Sequence, residues 1–111
     1  APMQWYNNDT KQLFNAILAL KTQNEARRFF RDLLTEPELV EFSKRWKAAQ
    51  MLEKKIPYSV IVQKTGLSST TVARVAYWLN RGMGGYKLML KRLKLNHHHA
   101  NSLHPAGKGL R

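Results

Sequence analysis

The sequence predicts an all-α fold of about six helices built around a helix-turn-helix. Three observations predict it. Apolar residues recur at three- and four-residue spacings along most of the chain. Glycine and proline fall between those stretches or in their first turns. No segment alternates apolar and polar residues as a half-buried strand does. With 111 residues, 43% of them hydrophobic, the chain has the length of one domain and enough apolar surface for a packed core.

The first helix is carried by Leu13, Phe14, Ile17 and Leu18 on one face, with Asp9 or Thr10 as its cap. Thr22 and Glu25 have capping-box spacing, and Ala26, Phe29, Phe30, Leu33 and Leu34 form the stripe of a second helix. Thr35, Pro37 and Glu38 open a long third helix, with Leu39, Phe42, Trp46, Ala49 and Leu52 on its apolar side. It should end near Lys54-Lys55, because Ile56 precedes Pro57 and the residue before proline avoids the helical region. A short helix fits residues 58–64. Thr65-Gly66-Leu67 reads as a turn, with Gly66 free to take positive φ. Ser68 then caps a helix over residues 69–80. Gly82, Gly84 and Gly85 mark a break, and a last helix carries Tyr86, Met89, Leu90 and Leu93. The expected organisation is an N-terminal extension over residues 1–8, a helical domain over 9–94 and a flexible, basic, histidine-containing tail over 95–111. Aromatic-rich helices near the N-terminus gain if a second chain covers them, so a homodimer is expected. Trp5 and Tyr6 suit docking on that partner.

Charge is distributed unevenly. Residues 1–43 carry five basic and six acidic side chains, whereas residues 44–94 carry twelve basic side chains and one acid, Glu53. No carboxylate side chain occurs from residue 54 to residue 111. Because like charges repel, a merely solvated face mixes signs, and one-sided positive charge points to a polyanionic partner. The absence of cysteine excludes disulfide scaffolds and thiolate zinc sites. No apolar run reaches the roughly 18 residues of a membrane-spanning helix, and no secretory leader pattern is seen, so the cytosol is the expected compartment.

An enzyme is not expected. Histidines occur only at positions 97, 98, 99 and 104, and the carboxylates lie within the first 53 residues. Gly82-Met83-Gly84-Gly85 lacks both the preceding strand and the following Lys-Ser/Thr of a nucleotide loop. Adjacent His97, His98 and His99, with His104, read as a solvated tail with no fixed ligand geometry. No metal and no cofactor is expected.

The segment from Tyr58 to Leu79 carries the function. Ile61 and Val62 offer the inner side of a first helix, Leu67 plugs the corner, and Val72 and Val75 face inward from the second. Ser68, Ser69, Thr70, Thr71, Ala73, Arg74 and Tyr77 face outward, short enough to let the helix lie deep in a major groove. Lys54, Lys55, Lys64 and Arg81 flank the unit as candidate phosphate contacts. This reading makes the chain a sequence-specific regulator of double-stranded DNA. The alternative is a basic module that binds RNA or an acidic protein surface, although RNA recognition leans on shape and stacked aromatics more than on a hydroxyl-bearing helix.

Leu33-Leu34-Thr35, Arg45, Thr65-Gly66, the run Ser68-Ser69-Thr70-Thr71, Arg74, Leu79-Asn80-Arg81-Gly82 and Gly84-Gly85-Tyr86 resemble the tryptophan-repressor superfamily. The likeness covers about residues 10–94 and is nearest to the bacterial tryptophan-repressor-like branch. It implies an intertwined all-helical dimer whose two helix-turn-helix units enter successive major grooves, and hence a roughly palindromic operator. Arg45 and Arg74 match the two arginines that sandwich the family's tryptophan, and Thr35 matches a pocket threonine. The sequence departs from the family where Val75 replaces a glycine and Trp78 a serine. That added bulk implies that tryptophan is not the corepressor and that the protein fills the pocket with its own side chain. Arg45 and Arg74 are then left to stack on Trp46, Trp78 or Tyr77, or to face DNA.

Overall fold

A computed structural model describes the backbone of residues 4–103 and the side chains of residues 4–94. Six helices and no strand occur among the described residues: α1 (Asn8–Ala19), α2 (Gln23–Leu33), α3 (Glu36–Glu53), α4 (Tyr58–Thr65), α5 (Ser69–Arg81) and α6 (Gly85–Leu103). The chain divides into two compact units, Ala1–Glu41 and Phe42–Arg111, with the boundary inside α3.

The first unit is organised by its helix starts. Asn7, not Asp9 or Thr10, caps α1. Its Oδ1 accepts the Thr10 N–H at 3.1 Å, and the Thr10 hydroxyl accepts the Asn7 N–H at 2.8 Å. The cap therefore lies one turn earlier than the first apolar residue suggests, because Asn with Thr three positions on satisfies two amides at once. Thr22 caps α2 through the Glu25 N–H at 3.1 Å, while Glu25 reaches back to the N–H of Lys21, at 2.9 Å. At the start of α3 the box is reciprocal. The Thr35 hydroxyl accepts the Glu38 N–H at 3.2 Å, and the Glu38 carboxylate accepts the Thr35 N–H at 2.8 Å. The Thr35 N–H and, at 3.0 Å, the Thr35 hydroxyl both donate to the Glu38 carboxylate and hold its pKa below the ordinary value. Trp5 and Tyr6 pack on their own helix: Tyr6 meets Trp5 edge-on at 5.5 Å and stacks on Phe14 at 6.4 Å, with the Lys11 ammonium over its ring. No residue of α1 or α2 is buried.

The second unit contains the core. Ala48, Ala49 and Met51 of α3, Ile61 of α4, Leu67 of the corner, and Val72 and Val75 of α5 form one buried cluster. Full burial of an Ile or Val side chain is worth about 1.5–3 kcal/mol, so Ile61, Val72 and Val75 dominate it. α3 stops at Glu53 as proline predicts, with a further device: Lys55 enters the left-handed region at φ 64°, and the Ile56 N–H closes on the Met51 carbonyl at 3.1 Å. α6 begins at Gly85 and its backbone stays helical to Leu103, beyond the boundary at residue 94 that composition suggests. No proline or glycine occurs between Tyr86 and Leu103, and polar composition alone does not break a helix. His97, His98 and His99 fall on this backbone with side chains outside the described set, and His104 lies outside the described residues altogether.

Candidate nucleic-acid interface

The corner between α4 and α5 is built by three consecutive residues. Gly66 caps α4 at φ 77°, a backbone that glycine adopts without strain, and its N–H reaches the Val62 carbonyl at 2.9 Å. Thr65 is buried. Its hydroxyl donates to the Ile61 carbonyl at 2.7 Å and accepts the Leu67 N–H at 3.1 Å, stitching helix end to turn. Leu67 is buried under the corner. Pro57 precedes α4 without a side-chain cap, so tertiary packing rather than capping holds that helix.

Ser68 starts α5. Its hydroxyl accepts the Thr71 N–H at 3.1 Å and donates to the Thr71 hydroxyl at 3.0 Å. These two side chains first serve the helix start. Thr71 retains a hydroxyl proton to donate outward. Along α5 the burial pattern separates two faces. Val72, Val75, Ala76 and Leu79 are buried; Ser69, Thr70, Ala73, Arg74, Tyr77 and Arg81 are exposed, and Thr71 is half-buried. Tyr58 of α4 joins Ala73, Tyr77, Asn80 and Arg81 around an open hollow of about 260 Å³.

The flanking lysines separate. Lys64 lies exposed in the last turn of α4, and Lys55 is exposed just past α3. Lys54 instead lines a groove of about 1080 Å³ with Trp46 and Glu53 of α3 and Lys87, Lys91 and Lys94 of α6. Sequence reading missed two residues of the corner. Thr65 read only as part of a turn. Lys44, whose ammonium lies beside Gly66, carried no local pattern that marked it.

The residues matched to a tryptophan pocket fall in different settings. Thr35 belongs to the first unit, where it caps α3. Val75 is fully buried in the core beside Ala48 and Ala49. Trp78 does not fill a pocket as the sequence suggested. It is 45% exposed and walls an open apolar cavity of about 650 Å³ with Trp46, Met83, Tyr86 and Met89. Val75 is the side chain that takes interior space, and Trp78, three positions on, emerges at the edge of the same face. The Arg45 guanidinium lies over the Phe42 ring at 5.7 Å. Among the described residues no ring is paired with Arg74. Trp46 stacks instead on Tyr86 at 6.2 Å, and burial pushes the Tyr86 phenol pKa up against the opposing pull of Arg45. Gly82 admits no side chain: a Cβ there would collide with the Trp78 carbonyl, whose oxygen also accepts the Gly82 N–H at 2.9 Å.

A short helix, a left-handed glycine corner and a second helix with one buried and one exposed face define a helix-turn-helix protein. The model of the Trp repressor protein family matches residues 8–94, and the chain belongs to that family of DNA-binding regulators. It is 42% identical over 83 residues to the uncharacterized protein YerC of Bacillus subtilis (strain 168), an alignment covering 75% of this chain and 80% of that one. The crystal structure of a TrpR-like protein from Eubacterium eligens ATCC 27750 superposes with a TM-score of 0.77 at 41% identity, covering 79% of this chain and 91% of that one. A crystal structure from Staphylococcus aureus gives a TM-score of 0.78 at 33% identity, covering 84% and 96%. None of the helices is long and apolar enough to cross a membrane, among the described residues.

Proposed function

We propose that this protein is a sequence-specific transcriptional repressor that acts as a homodimer and inserts α5 into the major groove of double-stranded DNA. The observation that carries the reading is the division of α5. Its inner face is locked into the core through Val72 and Val75, and its outer face offers Ser69, Thr70, Ala73, Arg74 and Tyr77 to a partner. A rigid helix with small side chains and one arginine suits groove entry and base-edge contact. Ser68, Thr71, Lys55, Lys64 and Arg81 surround that face as phosphate contacts, with Lys54 on the neighbouring groove. Dimerisation is supported by the first unit, which buries none of its α1 or α2 residues and leaves Phe14, Leu18 and Leu33 exposed. Tryptophan is not the effector in this reading, because Val75 occupies the interior where the family has glycine.

Selection of bound sites from a random duplex pool tests the proposal. A two-fold symmetric consensus is expected, with half-sites about one helical turn apart. On the selected site, Arg74→Ala should weaken binding by roughly 1–3 kcal/mol and relax preference at one base pair. Free tryptophan should leave the titration unchanged. An unselective pool, or tighter binding to structured RNA than to duplex DNA at two salt concentrations, would replace this reading with that of a basic interaction module.

A further inference from the structure

The outside of the α4–α5 corner has no side chain at Gly66, and a neighbouring helix reaches into the space. The Lys44 ammonium of α3 lies 3.7 Å from where a Cβ on Gly66 would stand. Lys44 is not an ordinary surface lysine. At 100° per residue it shares a stripe of α3 with Ala48 and Met51, which are both buried. It therefore continues the core-facing stripe by one turn, half-buried, with its charge at the corner. From residue 44 onward nothing acidic answers that charge, and on the N-terminal side Glu41 stands three positions earlier on α3. Glu53 is the sole carboxylate in residues 44–94; it lies nine positions along α3, half a turn away around the helix, and lines the groove toward α6. Among the described residues Lys44 has no hydrogen-bond or ion-pair partner.

We infer that Lys44 is a phosphate-binding residue of the DNA interface: its ammonium holds a backbone phosphate of the duplex at the corner that Gly66 leaves open. The inference rests on the reading of α5 as the DNA-contacting helix and adds α3 as a third helix that touches the duplex. A lysine ammonium is a point charge without a fork, so the contact fixes position on the backbone and carries no base readout. A purely structural Lys44 would cover Gly66 with its stem, and methionine would serve equally well.

Wild type, Lys44→Met and Lys44→Arg are titrated with a selected duplex and a random-sequence duplex of equal length across a salt series. Lys44→Met should bind both duplexes weaker by the same factor, roughly five- to tenfold at low salt. The slope of log affinity against log salt should become shallower by about 0.9, and Lys44→Arg should restore it. Thermal melting shows whether Lys44→Met keeps its fold; if it does not, Lys44→Gln is held to the same criteria. A wild-type slope for the neutral variant overturns the Lys44 contact and leaves DNA binding standing. A loss confined to the selected duplex also overturns it, since that marks base readout. Failure of the wild type to bind either duplex removes both the contact and the function proposed above.

Discussion

The first 41 residues and the remainder of the chain are both helical, yet they are held together by different physics. Residues 1–41 rest on local devices: a reciprocal box at Asn7 and Thr10, another at Thr35 and Glu38, and the Thr22 cap, each worth about 1 kcal/mol. Their apolar faces are made and left open, with Phe14 and Leu18 exposed. From Phe42 onward the balance reverses. α4 has no side-chain cap, but Ile61, Val72 and Val75 are fully buried. Charge follows the same division, with a net −1 on residues 1–41 and +13 on residues 42–111. Helices of 12 and 11 residues, such as α1 and α2, are marginal in water unless something covers their apolar faces. The basic unit buries a core beneath its exposed face, and the near-neutral unit leaves its apolar faces exposed.

The largest effect should come from charging the core of the second unit. Val72→Asp buries an unpaired carboxylate and should cost roughly 4 kcal/mol or more, read as loss of the cooperative urea transition. A transition at the wild-type midpoint would mean that α5 does not depend on its inner face. Next in size is Leu18→Glu in the first unit. Leu18 is 81% exposed in the isolated chain, and a truly solvated position would tolerate the change within about 0.5 kcal/mol. If a second copy covers α1, the cost is about 2 kcal/mol, and sedimentation should show a shift toward monomer. A monodisperse dimer of unchanged stability would place the interface elsewhere.

Gly66→Ala should cost about 1 kcal/mol, because φ 77° is strained for any residue with a Cβ, and the melting temperature should fall without a change in oligomeric state. The smallest effect belongs to Glu38. Its folded pKa lies below its unfolded one, so its contribution is present above the ordinary carboxylate pKa and disappears as pH falls through the depressed folded value. An NMR titration should place Glu38 below the ordinary glutamate value, and Thr35→Val should raise it part of the way back, because the Thr35 N–H that holds it most strongly remains.

How far the sequence reaches can be followed residue by residue. Helical periodicity and breakers are local, so the six helices, the Gly66 turn and the Ser68 cap are legible in the order of residues. The inward Val72 and Val75 and the outward Ser69, Thr70 and Arg74 are legible for the same reason, since a period of 3.6 divides one helix into faces. The Asn7 cap escapes such a reading because Asp9 and Thr10 offer the same chemistry nearer the apolar stripe. Thr65 escapes it because a buried hydroxyl that stitches a turn has the same one-dimensional signature as an exposed one.

Amino-acid order alone determined the helix count, the faces of α5 and the concentration of positive charge after residue 43, because each depends on neighbours within a few positions. Tertiary structure decided which helix faces acquire a partner. It left α1 and α2 open, placed Val75 rather than Trp78 in the interior, carried Lys54 to the α6 groove and brought Lys44 to Gly66. Those outcomes depend on distances between residues far apart in the chain, and no periodicity encodes them.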